Sequence, residues 1–155
     1  MTLGTVAPVL DPALFIPDLR PRTRQAVLEH LASLAHEAGA VGDPALLNEL
    51  LALRERAGTT ALGKGVALPH ARSLTVRRPM LVVARSARGI DWDAADEQRV
   101  TLVILALSPG EWGDEAHHAF LTRAASLARL QRHRQRLLEA ESVEDVVGVL
   151  RDVKP

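Results

Sequence analysis

The stretch VTLVILAL, Val100–Leu107, decides the fold. It is apolar at every position but Thr101, strand-sized, and far short of what a bilayer crossing requires. Rich in β-branched residues, it reads as a central strand buried on both faces, as strands are when helices cover both sides of a sheet. Upstream, MLVVARS (Met80–Ser86) and GVALPHA (Gly65–Ala71) are two further short, β-rich runs. Between the last two strands, ARGIDWDAADEQR is a turn-rich connection with room for a small strand at Ile90. Pro69 has no N–H to give a ladder, so the strand GVAL is expected to end or reach an edge there.

The flanks change period. From about Thr23 to Ala38, Ala26, Val27, Leu31, Leu34 and Ala35 recur at helical spacing. A second helix has Asp43 as N-cap, Pro44 at its first position, a stripe of Leu46, Leu47, Leu50 and Leu51, and Gly58 as its stop. After the loop SPGEWGDE (Ser108–Glu115), Asp114 or Glu115 opens a long helix running to about Leu130. More helix follows over Gln131–Ala140, and Ser142 with Asp145 begins a last short one. The entry APVLDPALFIPDLRP reads as an irregular or short-strand lead-in, because each proline restricts itself and its predecessor. The expectation is one α/β domain over 1–155, a mixed β-sheet flanked by α-helices, with a lead-in over 1–10 and a core over about 10–150.

The 155 residues are 47% apolar and 25% charged, with 19 acidic and 19 basic side chains in balance. That balance predicts no general affinity for nucleic acid or an anionic membrane. Two basic runs, RPRTR (Arg20–Arg24) and RLQRHRQR (Arg129–Arg136), lack stacking aromatics and read as solvated helix faces. No cysteine is present, which excludes disulfides, thiolate chemistry and Cys-based zinc sites. The start MTLGTVAPVLDPALF lacks a secretory signal's charged head and long apolar stretch, so a cytoplasmic protein is expected.

The chemistry-bearing residues gather around His70. A histidine placed at a strand end in an α/β fold faces a ligand crevice, where it can be a nucleophile, a metal ligand or a satisfied core residue. Arg54 and Arg56 close the second helix just upstream, and an arginine fork there could hold an anion at His70 or simply complement the helix dipole. His117 and His118 fall in the first turn of the long helix, where free N–H groups favour an anion. Neighbouring helical residues point about 100° apart, so the two cannot both face one site, and spacing does not choose between them. A metal hydrolase built on His70, His117 or His118 with Asp114, Glu115 or Asp91 is the competing chemistry, though no metal-binding spacing supports it. Trp92 and Trp112 read as packing residues rather than partner anchors.

Together these residues resemble an enzyme IIA of the fructose–mannitol type, from the bacterial phosphoenolpyruvate:sugar phosphotransferase system, a branch that includes the nitrogen-regulatory IIA proteins. The matching pattern is Arg54, Glu55, Gly58, Thr59, Thr60, Gly63 and Gly65, then VALPH. GIDWDAADEQRVTLVILALSP and the closing helices with LLEAES continue it from about Leu10 to Leu150. The resemblance implies an α/β/α fold and a phosphohistidine at His70, with Arg54 and His117 beside it as catalytic residues and His118 in reserve. It implies phosphate contacts from Thr59, Thr60 and Arg54. It also implies donation by HPr or its nitrogen-branch counterpart and passage to a IIB cysteine or a regulatory target, with no cofactor or metal and no insertion into the membrane. A module that only binds a target, phosphorylated or not, is the alternative. Where the family usually has glycine after the active histidine this chain has Ala71, which would resist a positive φ and narrow the approach.

Overall fold

A computed structural model describes residues 10–153. In chain order the elements are β1 (Leu10–Ile16), α1 (Arg24–Glu37), α2 (Pro44–Ala57), β2 (Ala61–Gly63), β3 (Val66–Ala67), β4 (His70–Ser73), β5 (Met80–Ile90), β6 (Val100–Pro109), α3 (Asp114–Arg129), α4 (Gln131–Glu139) and α5 (Val143–Asp152). The sheet order is β1-β5-β6-β3-β2, with β4 also paired to β6. β1 runs parallel to β5, β5 antiparallel to β6, and β3 and β4 parallel to β6, so the sheet is mixed.

The expected central strand is central, and every residue of β6 but Thr101 and the terminal positions beyond 107 belongs to one of two cores. Val103, Leu105 and Leu107 join Met80, Val82 and Ala84 under α1 and α2. Leu102, Ile104 and Ala106 join Leu81 and Val83 under α3, α4 and α5. Because successive strand residues point to opposite faces, two continuous apolar runs supply both cores, and the layers are helices, sheet, helices.

Local signals set the helix ends as read. Thr23 Oγ1 accepts from Ala26 N at 3.1 Å, Asp43 Oδ1 from Leu46 N at 3.0 Å, and Ser142 Oγ from Asp145 N at 3.3 Å. Two strand readings are sharpened and one is corrected. The lead-in is a paired edge strand, β1, whose register against β5 shifts between Leu10 and Phe15, around Pro12; its first residues, 7–9, lie outside the described segment. Ile90 is the end of β5, beyond a register shift after Arg85, and not a separate strand. The strand GVAL does end ahead of Pro69, with β3 stopping at Ala67, but the chain is off the ladder only at Leu68 and Pro69, and a separate strand, β4, pairs with β6 from His70. The Pro69 carbonyl still accepts from Ala106 N at 3.1 Å, so only the missing N–H breaks the pairing.

β2 went unseen in the sequence. It forms a hairpin with β3 through Lys64 and Gly65, both at positive φ (59° and 78°), as a two-residue hairpin turn of the primed type requires. Asp96 fixes the tip by accepting from Lys64 N at 3.0 Å.

Candidate functional site

His70 stands where β4 begins, opposite Ala106 on β6. Its Nδ1 lies 2.9 Å from the Leu68 carbonyl, in the segment between β3 and β4. A carbonyl only accepts, so Nδ1 carries the ring proton and Nε2 keeps its lone pair. Burial lowers the proton affinity of this half-buried imidazole. The Leu68 bond opposes that shift, the charge of Arg54 adds to it, and Glu55 opposes it. The result at neutral pH is an uncharged ring with one fixed nitrogen and one free nucleophilic nitrogen.

His117 is the histidine that α3 brings to it. The two ring centroids are 6.2 Å apart, and His117 Nδ1 is 2.8 Å from Ser108 Oγ. Burial again lowers its proton affinity, helped by Arg72, His70 and His118 and opposed by Asp114. His118 is exposed, with its ring 5.8 Å from that of His117. Ser108 thus holds the ring of His117, and not that of His118, on the side of His70. It was read as the start of a loop, but it lies in β6 and is fully buried. The alternation Leu102, Ile104, Ala106 carries to Ser108, and that period placed it toward α3.

Arg54 sits in the last turn of α2 and donates from Nη1 to the Gly58 carbonyl at 2.7 Å, closing the helix end. Its charge reaches His70, and its other N–H groups make no hydrogen bond among the described residues. Thr59 and Thr60 use their hydroxyls inside the protein. Thr59 Oγ1 donates to the Trp92 carbonyl at 3.0 Å and accepts from Ala61 N at 3.1 Å. Thr60, 4% exposed, gives its hydroxyl to Glu55, whose other oxygen accepts from Thr60 N at 3.1 Å. The buried Glu55 carboxylate also accepts from Trp92 Nε1 at 3.1 Å and has Arg24 at 3.7 Å. This knot locks the turn that leads from α2 to β2.

Sequence reasoning missed Arg72, two residues after His70 and so on the same face of β4. Its Nη2 lies 2.7 Å from Asp114 Oδ1 and its Nη1 donates to the Trp112 carbonyl at 3.2 Å. It ties β4 to the start of α3 and holds the Asp114 carboxyl below the usual range. Ala71 takes no positive φ; the non-glycine residues that do, among those described, are Lys64, Asp93 and Glu97. Paired with Leu107 in β4 and packed on the α1–α2 core, Ala71 meets none of the backbone strain expected of it. Trp92 is fully buried, and Trp112 is half-buried, edge-on to Phe120 with centroids 5.8 Å apart. Among the described residues no three His, Cys, Asp or Glu side chains converge to hold a metal ion.

The model of one protein family, the phosphoenolpyruvate-dependent sugar phosphotransferase system EIIA 2, matches residues 8–153. The PTS system fructose-specific EIIA component of Haloferax volcanii is 37% identical over 133 residues, 86% of each chain. The nitrogen regulatory protein of Bradyrhizobium diazoefficiens is 32% identical over 145 residues, 94% of each chain. The crystal structure of the nitrogen regulatory protein IIA-Ntr from Neisseria meningitidis has the same fold, with a TM-score of 0.84 at 27% identity over 94% of this chain and 98% of that one. A match across both cores and the histidine-bearing strand means that this chain belongs to the EIIA 2 family of the phosphoenolpyruvate-dependent sugar phosphotransferase system.

Proposed function

We propose that this chain carries a phosphoryl group on His70 Nε2, taking it from a phosphohistidine of HPr or of a nitrogen-branch counterpart. The Nε2 lone pair attacks phosphorus in line; the new N–P bond forms as the carrier's N–P bond breaks and its electron pair returns to the carrier's ring. The positive charge then shared by the His70 ring rests against the Leu68 carbonyl. Arg54, His117 and the free N–H groups at the start of α3 stabilise the equatorial oxygens. With Ser108 donating to Nδ1, His117 presents an Nε2–H to the phosphate. Thr59 and Thr60 serve the phosphate through the turn they lock. In the onward step a IIB cysteine thiolate attacks phosphorus, and the electron pair returns to Nε2. Neither step calls for a nucleotide or a metal, and the cytoplasm is where such carriers meet; no helix among the described residues is long and apolar enough to cross a membrane.

The bond from His70 Nδ1 to the Leu68 carbonyl carries this reading, because it fixes which nitrogen is free. The test mixes the protein with phosphoenolpyruvate, enzyme I and HPr and measures intact mass. One acid-labile phosphoryl group on the wild type and none on His70→Ala is the expected result. A label that survives in His70→Ala, or none on the wild type with either type of carrier, overturns it.

The match to a nitrogen regulatory protein over 94% of both chains favours a second output for the same chemistry. In that reading the phosphorylated or unphosphorylated chain binds a regulatory target instead of feeding a IIB. Pull-downs with each form separate the two: a IIB retained only with the phosphorylated form supports transport, and a non-transport target that distinguishes the forms supports regulation.

A further inference from the structure

The basic run Arg20–Arg24 takes no part at the histidines, and its members divide. Arg24 turns inward, donating to the Trp92 carbonyl at 3.1 Å and approaching Glu55. Arg20 and Arg22 stay exposed, with no hydrogen bond or ion pair among the described residues. Together with Arg88 and Arg99 they line an open cavity of about 470 Å³ whose wall, among the described residues, contains one carboxylate, Asp18. A chain whose charges balance overall thus gathers four guanidinium groups in one concavity.

The walls are anchored. Leu19 N donates to the Arg85 carbonyl at 2.7 Å, and Thr23 bridges to Asp91, so the arginine segment is tied on one side to β5 and on the other to the residue that follows it. Arg99 lies against Gly89, at φ +77°, where an added Cβ would come within 2.7 Å of the Arg99 Cβ. Its Nη2 donates to the Gly89 carbonyl at 3.3 Å. Only glycine allows this seat, on both conformational and steric grounds. α1 starts beside the cavity with no acidic residue in its first turn, so its positive dipole end adds to the same field.

Like charges held together repel, and an anion with several charges relieves that repulsion. The volume falls in the range of small-molecule sites, roughly 300–1,000 Å³, and exceeds the needs of one phosphate. Planar guanidinium forks match phosphate oxygens, and among the described residues no aromatic ring lines the cavity to stack a base. Arg99 directly precedes β6, whereas His70 pairs with Ala106 well along it, roughly 20 Å away at about 3.3 Å per strand residue. The phosphoryl group of the relay is therefore not the occupant. We propose that this cavity is a second ligand site, one that binds a group of two or more linked phosphates through Arg20, Arg22, Arg88 and Arg99. The proposal does not depend on the chemistry at His70.

Calorimetric titration of the full chain at low salt tests it, with tripolyphosphate and ATP as probes and hexaglutamate as control. Tripolyphosphate binds at a single site, more weakly as salt rises. The Arg22→Gln/Arg88→Gln double variant binds it about tenfold or more weakly, since each charge-assisted contact is worth roughly 1.5–3 kcal/mol, a factor of ten or more. The variant keeps its melting temperature and its phosphoryl acceptance at His70. If it fails to fold, Arg20→Gln/Arg99→Gln replaces it. ATP binding much more tightly than tripolyphosphate identifies a nucleotide, and equal binding identifies the phosphate chain alone; both support the site. No binding of either probe, binding unchanged in the variants, or hexaglutamate binding equally well overturns it.

Discussion

His70 at the start of β4 and His133 in the first turn of α4 share an environment and differ in their partners. Burial lowers the proton affinity of both, so both rings are neutral near pH 7. At His133 the charges of Arg132 and Arg136 add to that effect. His70 has the Leu68 carbonyl on Nδ1, whereas the Nδ1 of His133, a residue 4% exposed, has no hydrogen-bond partner. Burial supplies an uncharged imidazole, but only a fixed partner decides which nitrogen is nucleophilic. The comparison also separates access: His70 is half-buried beside His117, and His133 is buried at the floor of a cavity that Arg129, Arg132 and Asp152 border.

The largest expected effect tests that distinction directly. His70→Ala abolishes the acid-labile label, and His133→Leu retains it in full, as read by intact mass. Loss of label in a folded His133→Leu breaks the comparison. Next comes the second histidine. His117→Ala slows phosphoryl acceptance about 10²–10³-fold, the scale of one oxyanion-type donor, in rapid-quench measurements with phosphorylated carrier. His118→Ala changes the rate less than about twofold. Equal losses at 117 and 118 would mean that the Ser108 contact does not select the working ring. Glu55→Ala comes third. It leaves Thr60 N and the Thr60 hydroxyl without their acceptor in a buried turn, removes one of the two acceptors of Trp92 Nε1, and lowers stability by about 2–4 kcal/mol, measured by urea unfolding. A midpoint within error of wild type would show that the turn is held by other contacts.

The helices were legible because their signals are local. Asp43 with Pro44, and Ser142 three residues before Asp145, carry their own capping partners in the sequence. The two-sided burial of Val100–Leu107 was legible for the same reason, since one uninterrupted apolar run can only serve both faces of a strand. What was missed depends on distant pairing. The stop ahead of Pro69 was legible, but the new strand from His70 was not, because nothing nearby shows that β6 has further residues to pair with β4. Arg54 and His117 were identified through the resemblance, and the structure brings both near His70. The threonine hydroxyls looked available until Trp92 and Glu55 were seen to occupy them. Arg72 was within reach of a strand argument, as the second residue after His70, had β4 been recognised as a strand.

The smallest effects lie in pH dependence, and their sign follows from the lowered proton affinities of His70, His117 and His133. The unfolded chain takes up protons near pH 6.5, and the folded chain takes them up only at lower pH. Stability present above about pH 6.5 is therefore lost as pH falls through the depressed values, and the loss levels off below them. His133→Leu removes one of these three groups together with its unpaired Nδ1 and places a good helix former in α4. Its unfolding free energy from urea titration should exceed that of the wild type by about 1 kcal/mol at pH 7.5. The gap should widen at pH 5, where the wild type must still keep a proton off the buried ring and the variant has no ring to protect. A gap of the same size at both pH values would show that His133 does not resist protonation in the fold, and the neutrality it is said to share with His70 would fail.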